Sequence, residues 1–94
     1  MNLINEIKER PGLFLGTLSI YTLKAFIDGY KYGVGENEVS ANMDAFQRFV
    51  STKYRIEAPV SWDSIIRMYS SSDYQAYTKF FELFEEFIKQ NEKE

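Results

Sequence analysis

Tyr77, Phe80, Phe81, Phe84, Phe87 and Ile88 recur three and four residues apart, while Glu82, Glu85, Glu86 and Lys89 fill the opposite side of the same pattern. A repeat of that period places the rings on one face of a helix and the charges on the other. Ser72 followed three residues later by Gln75 matches a capping box at its start. Leu3, Ile4 and Ile7 predict a first helix over 3–10, ended by Pro11, because the residue before proline is pushed out of helical backbone. Pro11-Gly12 reads as a turn. Leu13-Phe14-Leu15, closed by Gly16, reads as an extended connector that tucks its apolar side chains against the helices.

The second helix starts near Thr17 or Ser19, either of which can cap the free amides of a first turn. Its inward stripe is Ile20, Leu23, Ile27 and Tyr30, with Phe26 beside it. Gly29 inside the stripe costs about 1 kcal/mol relative to Ala, which implies a neighbouring backbone in close approach or an early end. Tyr32-Gly33-Val34-Gly35-Glu36-Asn37 reads as a break, with Gly33 as a C-terminal cap. A third helix spans 41–54, with Met43, Phe46, Phe49, Val50 and Tyr54 inward. Residues 56–60, containing Pro59, form a linker. Ser61 then caps a short helix whose buried side is Trp62, Ile65, Ile66 and Tyr69, with Asp63 at the positive end of its dipole. Ser70-Ser71-Ser72 interrupts before the last helix. Five helices joined by short linkers predict one all-α bundle over residues 1–94, with the last few residues frayed.

Composition supports that size of core. Of 94 residues, 45% are hydrophobic and 17% aromatic, and each large ring can bury about 150–250 Å². Cysteine is absent, so no disulfide or thiolate–zinc framework contributes. The first residues lack the basic and apolar regions of a signal peptide. No stretch approaches the roughly 20 apolar residues that span a bilayer. The expected setting is the cytoplasm, with no membrane contact.

Net charge is −3, divided as +1 over residues 1–31, −1 over 32–72 and −3 over 73–94. Nothing forms the basic stripe that phosphate backbones require, so nucleic acid is not expected as a direct ligand. A basic protein partner suits the charge better.

Histidine is also absent, which removes Ser-His-Asp and Cys-His catalysis and His-ligated metals. Glu36, Glu38 and Asp44 surround one loop but lack the ligand spacing and glycine of a calcium loop. Glu82, Glu85 and Glu86 lie on a solvent face rather than over a cleft. Gly33-Val34-Gly35 follows no strand and has no phosphate-binding lysine. The residues therefore predict no catalytic group, cofactor or metal. Tyrosine is a frequent binding hot spot, and Tyr21, Tyr32 and Tyr74 fall off the inward stripes.

Arg10-Pro11-Gly12-Leu13-Phe14-Leu15-Gly16, then Ser19-Ile20, Leu23, Phe26-Ile27 and Gly29-Tyr30, resembles the opening "RPGMYLG…SI…L..FL.GY" of a group of small bacterial proteins. Later parts of that pattern recur as Phe46-Gln47-Arg48-Phe49-Val50, as Ser61-Trp62-Asp63-Ser64-Ile65-Ile66 and as Phe80-Phe81-Glu82-Leu83-Phe84-Glu85-Glu86-Phe87, so the resemblance covers nearly the whole chain. Some of these proteins are similar to immunity proteins encoded beside contact-dependent or secreted toxins. The resemblance implies an inhibitor that binds a cognate toxin. Glu36, Glu38 and Asp44 are then candidate contacts, with Tyr32 as the aromatic anchor. The alternative is a non-enzymatic module that self-associates as a homodimer or docks on a host protein, a phage-type inhibitor included. Gyrase-type ATPases share a similar "RPGMYIG" turn, but Phe26-Ile27-Asp28-Gly29-Tyr30 lacks their metal-site Asn. No Asp-x-Gly-x-Gly loop occurs in the chain.

Overall fold

The apolar stripes close on one another as five helices and a single helical turn, with no strand among the described residues, in a computed structural model that describes residues 2–34 and 38–92. The order is α1 (Asn2–Glu9), α2 (Pro11–Phe14), α3 (Ile20–Val34), α4 (Glu38–Lys53), α5 (Trp62–Met68) and α6 (Asp73–Glu92). The all-α bundle expected from the periodicity is the observed fold. Residues 93–94, expected to fray, lie outside the described residues.

The long aromatic helix α6 is the spine, packing against α3, α4 and α5, while α5 also touches α3 and α4. One continuous core results. Its α3 side is aliphatic, with Ile20, Leu23 and Ile27 fully buried; Ile4 and Ile7 of α1 are buried too, on a helix that lies beside Phe81 and Phe84 of α6. Its α4–α6 side is aromatic, and Phe46 is the hub. That ring is fully buried and lies 5.3–6.2 Å from the rings of Phe49, Trp62, Phe80, Phe84 and Phe87. Several of these pairs meet edge to face, the arrangement favoured by the ring quadrupole.

The caps explain most boundaries. Ser19, not Thr17, opens α3: its hydroxyl accepts from the Tyr21 amide at 3.0 Å. At α6, the Ser72 hydroxyl accepts from the Gln75 amide at 3.0 Å, and the Gln75 side chain accepts from the amide of Ser71, one residue before the cap. Ser61 occupies the cap position of α5, but its hydroxyl caps no backbone amide. It donates to the Asp63 carboxylate instead. The first amide of α5, that of Trp62, is satisfied from α4, by the Gln47 side-chain oxygen at 2.6 Å. The amide group of Gln47 also donates to the Val60 carbonyl at 2.9 Å and to the Ser51 hydroxyl at 3.0 Å.

Five further expectations need correction. Leu13-Phe14-Leu15 is not an extended connector, because Pro11 starts a helical turn instead of a reverse turn. Its fixed φ suits a first helical position, where no amide is needed, and the Leu15 amide closes the turn on the Pro11 carbonyl at 2.7 Å. Only Leu15 is extended. Gly29 neither meets a close backbone nor ends α3, and Gly33 is no C-terminal cap: the helix runs through both to Val34, and a Cβ at either would meet nothing within 4 Å. Residues 35–37 of the expected break lie outside the described residues. Tyr30 is 36% exposed although it lies on the same face as the buried Leu23, seven residues before it; it stands near the end of α3, beyond the last buried residue of that stripe, Ile27. Tyr69 is 49% exposed because it is the C-cap of α5, beyond the helical register. Its ring stacks on Tyr54 at 4.5 Å.

The helix α4 ends in a Schellman motif. The Ile56 amide reaches the Ser51 carbonyl at 2.9 Å and the Arg55 amide reaches that of Thr52 at 3.2 Å. Arg55 holds the left-handed position at φ 56°, where glycine is the usual residue. The two sites are reciprocal: a glycine inside an exposed helix and a side chain at a left-handed cap. Gly29→Ala and Arg55→Gly are each expected to stabilise the fold by about 0.5–1 kcal/mol. Thermal melts check this as rises of roughly 3–6 °C per substitution.

Candidate partner-binding surface

Tyr32 stands in the last turn of α3 with its side chain 91% exposed, the most exposed large hydrophobic group among the described residues. Its neighbour Lys31 turns to α4, where its ammonium lies 3.8 Å from the Asp44 carboxylate. That pair ties the end of α3 to the first turns of α4, so Tyr32 and Asp44 occupy the same end of this helix pair. Asp44 is exposed and the pair is solvated, so it contributes little to stability. Glu36 lies outside the described residues. Glu38 opens α4, and its side chain lies outside what is described.

The three tyrosines off the inward stripes are all exposed but do not gather. Tyr21 is at the opposite end of α3, with the Arg67 guanidinium 4.8 Å above its ring. Tyr74 starts α6 and stacks on Tyr77 at 6.3 Å. Only Tyr32 therefore shares an end of α3 with Asp44. Arg67 holds α5 to α3: it reaches the Tyr21 hydroxyl at 3.3 Å, the Ser64 hydroxyl at 2.9 Å and Asp63 at 3.6 Å. Asp63 is itself buried, which its position in a first turn did not signal.

Leu18 and Met68, both exposed, lie by Tyr21 and Arg67 in sequence and were not foreseen as surface groups. Leu18 precedes a cap and Met68 ends a helix, so no periodic pattern assigned either of them a face.

Among the described residues no three carboxylates come together to hold a metal ion, and no helix is long and apolar enough to cross a membrane. Glu82, Glu85, Glu86 and Lys89 form the exposed face expected for α6. The Glu85 carboxyl is held below its usual range by a hydrogen bond from Lys89, by the Lys89 charge and by Lys8.

Tyr77 behaves differently from the surface tyrosines. Its hydroxyl is buried without a hydrogen-bond partner, and burial, followed by Tyr74, raises its pKa above the ordinary 10.0. The folded state thus favours the protonated ring. That contribution is complete below pH 10 and is lost as pH climbs through the raised value. Titration by absorbance at 295 nm should show Tyr77 ionising after the exposed tyrosines, together with loss of helix by circular dichroism. Simultaneous ionisation of all seven with the fold intact would contradict this.

No protein-family model, curated protein or solved structure matches the chain.

Proposed function

We propose that this chain is an immunity-type protein, a helical domain that binds a cognate toxin domain and occludes it. The observation that carries the reading is Tyr32: a ring 91% exposed at the end of α3, unused by the core, with Asp44 at the same end. Tyrosine supplies large contact area at low entropic cost, and binding hot spots are enriched in it. The resemblance described above supports the same reading, as does the net charge of −3, which would speed encounter with a basic, nuclease-like partner. The sequence has no histidine and no cysteine, and occlusion needs neither.

Co-purification with the product of the adjacent gene, together with protection from its toxicity, tests the proposal. Tyr32→Ala is expected to weaken that complex about tenfold or more while shifting the melting temperature by no more than a degree or two. Absence of both binding and protection would sink the reading.

A second reading, a self-associating or regulatory module, draws on the other end of α3. Leu18 and Tyr21 are exposed there, as is Met68 on α5, whose Arg67 packs on the Tyr21 ring. It predicts a stable homodimer by light scattering, whereas the immunity reading predicts a monomer without its partner.

A further inference from the structure

A groove of about 480 Å³ runs between α4 and α6. Phe49 and Phe87 form its apolar base, with their rings 5.6 Å apart. Phe87 is buried, but Phe49 is only half-buried, so an aromatic surface is open to whatever enters. Along α4 the lining runs from Ala45 to Lys53, about two helical turns or roughly 12 Å. That is room for one large side chain and its immediate neighbours; pockets of about 300–1,000 Å³ commonly take ligands of this size.

The charges beside the base are arranged unevenly. Lys53 lines the groove, and its ammonium is taken by Glu86 at 2.9 Å. Asp44, one turn before Arg48 on α4, is taken by Lys31. The carboxylates one turn before Arg48 and across the groove thus pair with lysines. Arg48 is exposed and forms no ion pair among the described residues. Arg48 and the half-buried Phe49 thus line one groove, with the guanidinium left open to a carboxylate.

We propose that this groove docks an acidic segment of a partner protein, seating one large apolar side chain on Phe49 and a carboxylate on Arg48. The planar guanidinium offers two parallel N–H donors to a carboxylate, a fit that a point charge cannot make. A phosphate backbone is a poorer occupant. It needs several cations in a row, and here Glu86 stands against it. The groove is a separate surface from Tyr32, and its assignment does not depend on the immunity reading.

The test uses the full chain, labelled with nitrogen-15, and synthetic peptides of about twelve residues. One carries a central Phe flanked by four Glu; its counterpart carries four Lys. The acidic peptide should shift the amides of Arg48, Phe49 and Gln90 saturably, and less strongly as salt rises. The basic peptide should leave them unmoved. Arg48→Glu should weaken the acidic peptide about tenfold or more and admit the basic one, as expected for a like charge exchanged for an opposite one. Arg48 has no partner to lose, so the variant should melt within a degree or two of the parent; Arg48→Gln serves as the neutral check and should weaken binding without admitting the basic peptide. Equal response to both peptides, no response at the groove, or unchanged affinity in Arg48→Glu would overturn the assignment. So would peptide-free, concentration-dependent shifts at the groove, which would give it to a second copy of this chain.

Discussion

Phe46→Ala is expected to destabilise the domain by about 3–5 kcal/mol, the range measured when a buried phenylalanine is cut back to alanine. A domain of this size has roughly 5–15 kcal/mol in total, so the variant should melt at least about 15 °C lower and lose a large part of its urea resistance. The effect is large because of position. Five aromatic rings from α4, α5 and α6 converge on this one, and helices held by so many shared contacts cannot collapse into the void without moving apart. Phe46→Leu keeps most of the volume and should cost about 1.5 kcal/mol or less. A Phe46→Ala protein melting within about 5 °C of the parent would mean that the aromatic cluster does not hold the three helices together.

Gln47→Ala is expected to cost about 2–3 kcal/mol, although glutamine is exchanged at little cost on most helix surfaces. Its oxygen is the acceptor for the first amide of α5, and its nitrogen holds the Val60 carbonyl. Removing it leaves two backbone groups at the entry to α5 without their partners, and each such loss is worth about 1–3 kcal/mol when water cannot fully replace it. Gln47→Glu should lose less. It keeps an acceptor at the positive end of the α5 dipole and gives up only the donors. Hydrogen exchange provides a local readout: the Trp62 amide should exchange faster in Gln47→Ala, while amides in the middle of α6 change only by the global loss. Unchanged protection at Trp62 would show that α5 is capped in another way.

These two residues mark what was legible in the chain. Phe46 announces itself: it belongs to a stripe with Met43 and Val50, and large apolar groups at that spacing have nowhere to go but inward. The same logic located Ile4, Ile7, Ile20, Leu23, Ile27 and the rings of α6. Gln47 announces nothing, because its partners Val60 and Trp62 lie 13 and 15 residues further along and only the folded path of the linker brings them together. The cap of α5 went to Ser61 by residue type, and the competing carboxylate of Asp63 took its hydroxyl.

Glycine misled for a related reason. Gly29 and Gly33 resemble helix terminators, yet α3 continues through both to Val34, since a propensity deficit of about 1 kcal/mol per site weakens a helix without forbidding it. In the candidate site, Tyr32 was readable as off-stripe and is exposed. The pairing of Asp44 with Lys31 joins two helices, so no local pattern could have revealed it. Arg48 was invisible for the opposite reason: its significance lies in the neighbours already engaged by other cations.

Trp62 sits where the two chemistries of the core meet. Its indole lies 5.8 Å from the Phe46 ring and 5.0 Å from that of Phe80, with the Lys24 ammonium of α3 6.0 Å from its centroid. It is the chain's one tryptophan, so fluorescence reports the docking of α3, α4, α5 and α6 on one another in a single signal. The aliphatic helix α1 carries no chromophore. If it peels away from the bundle, the emission will stay constant while the amides of Ile4 and Ile7 exchange with solvent. Unfolding followed by tryptophan alone will therefore look two-state even when the N-terminal helix leaves first. Pairing it with far-ultraviolet circular dichroism, which counts every helix equally, turns that blind spot into a direct measure of how independently the first helix melts.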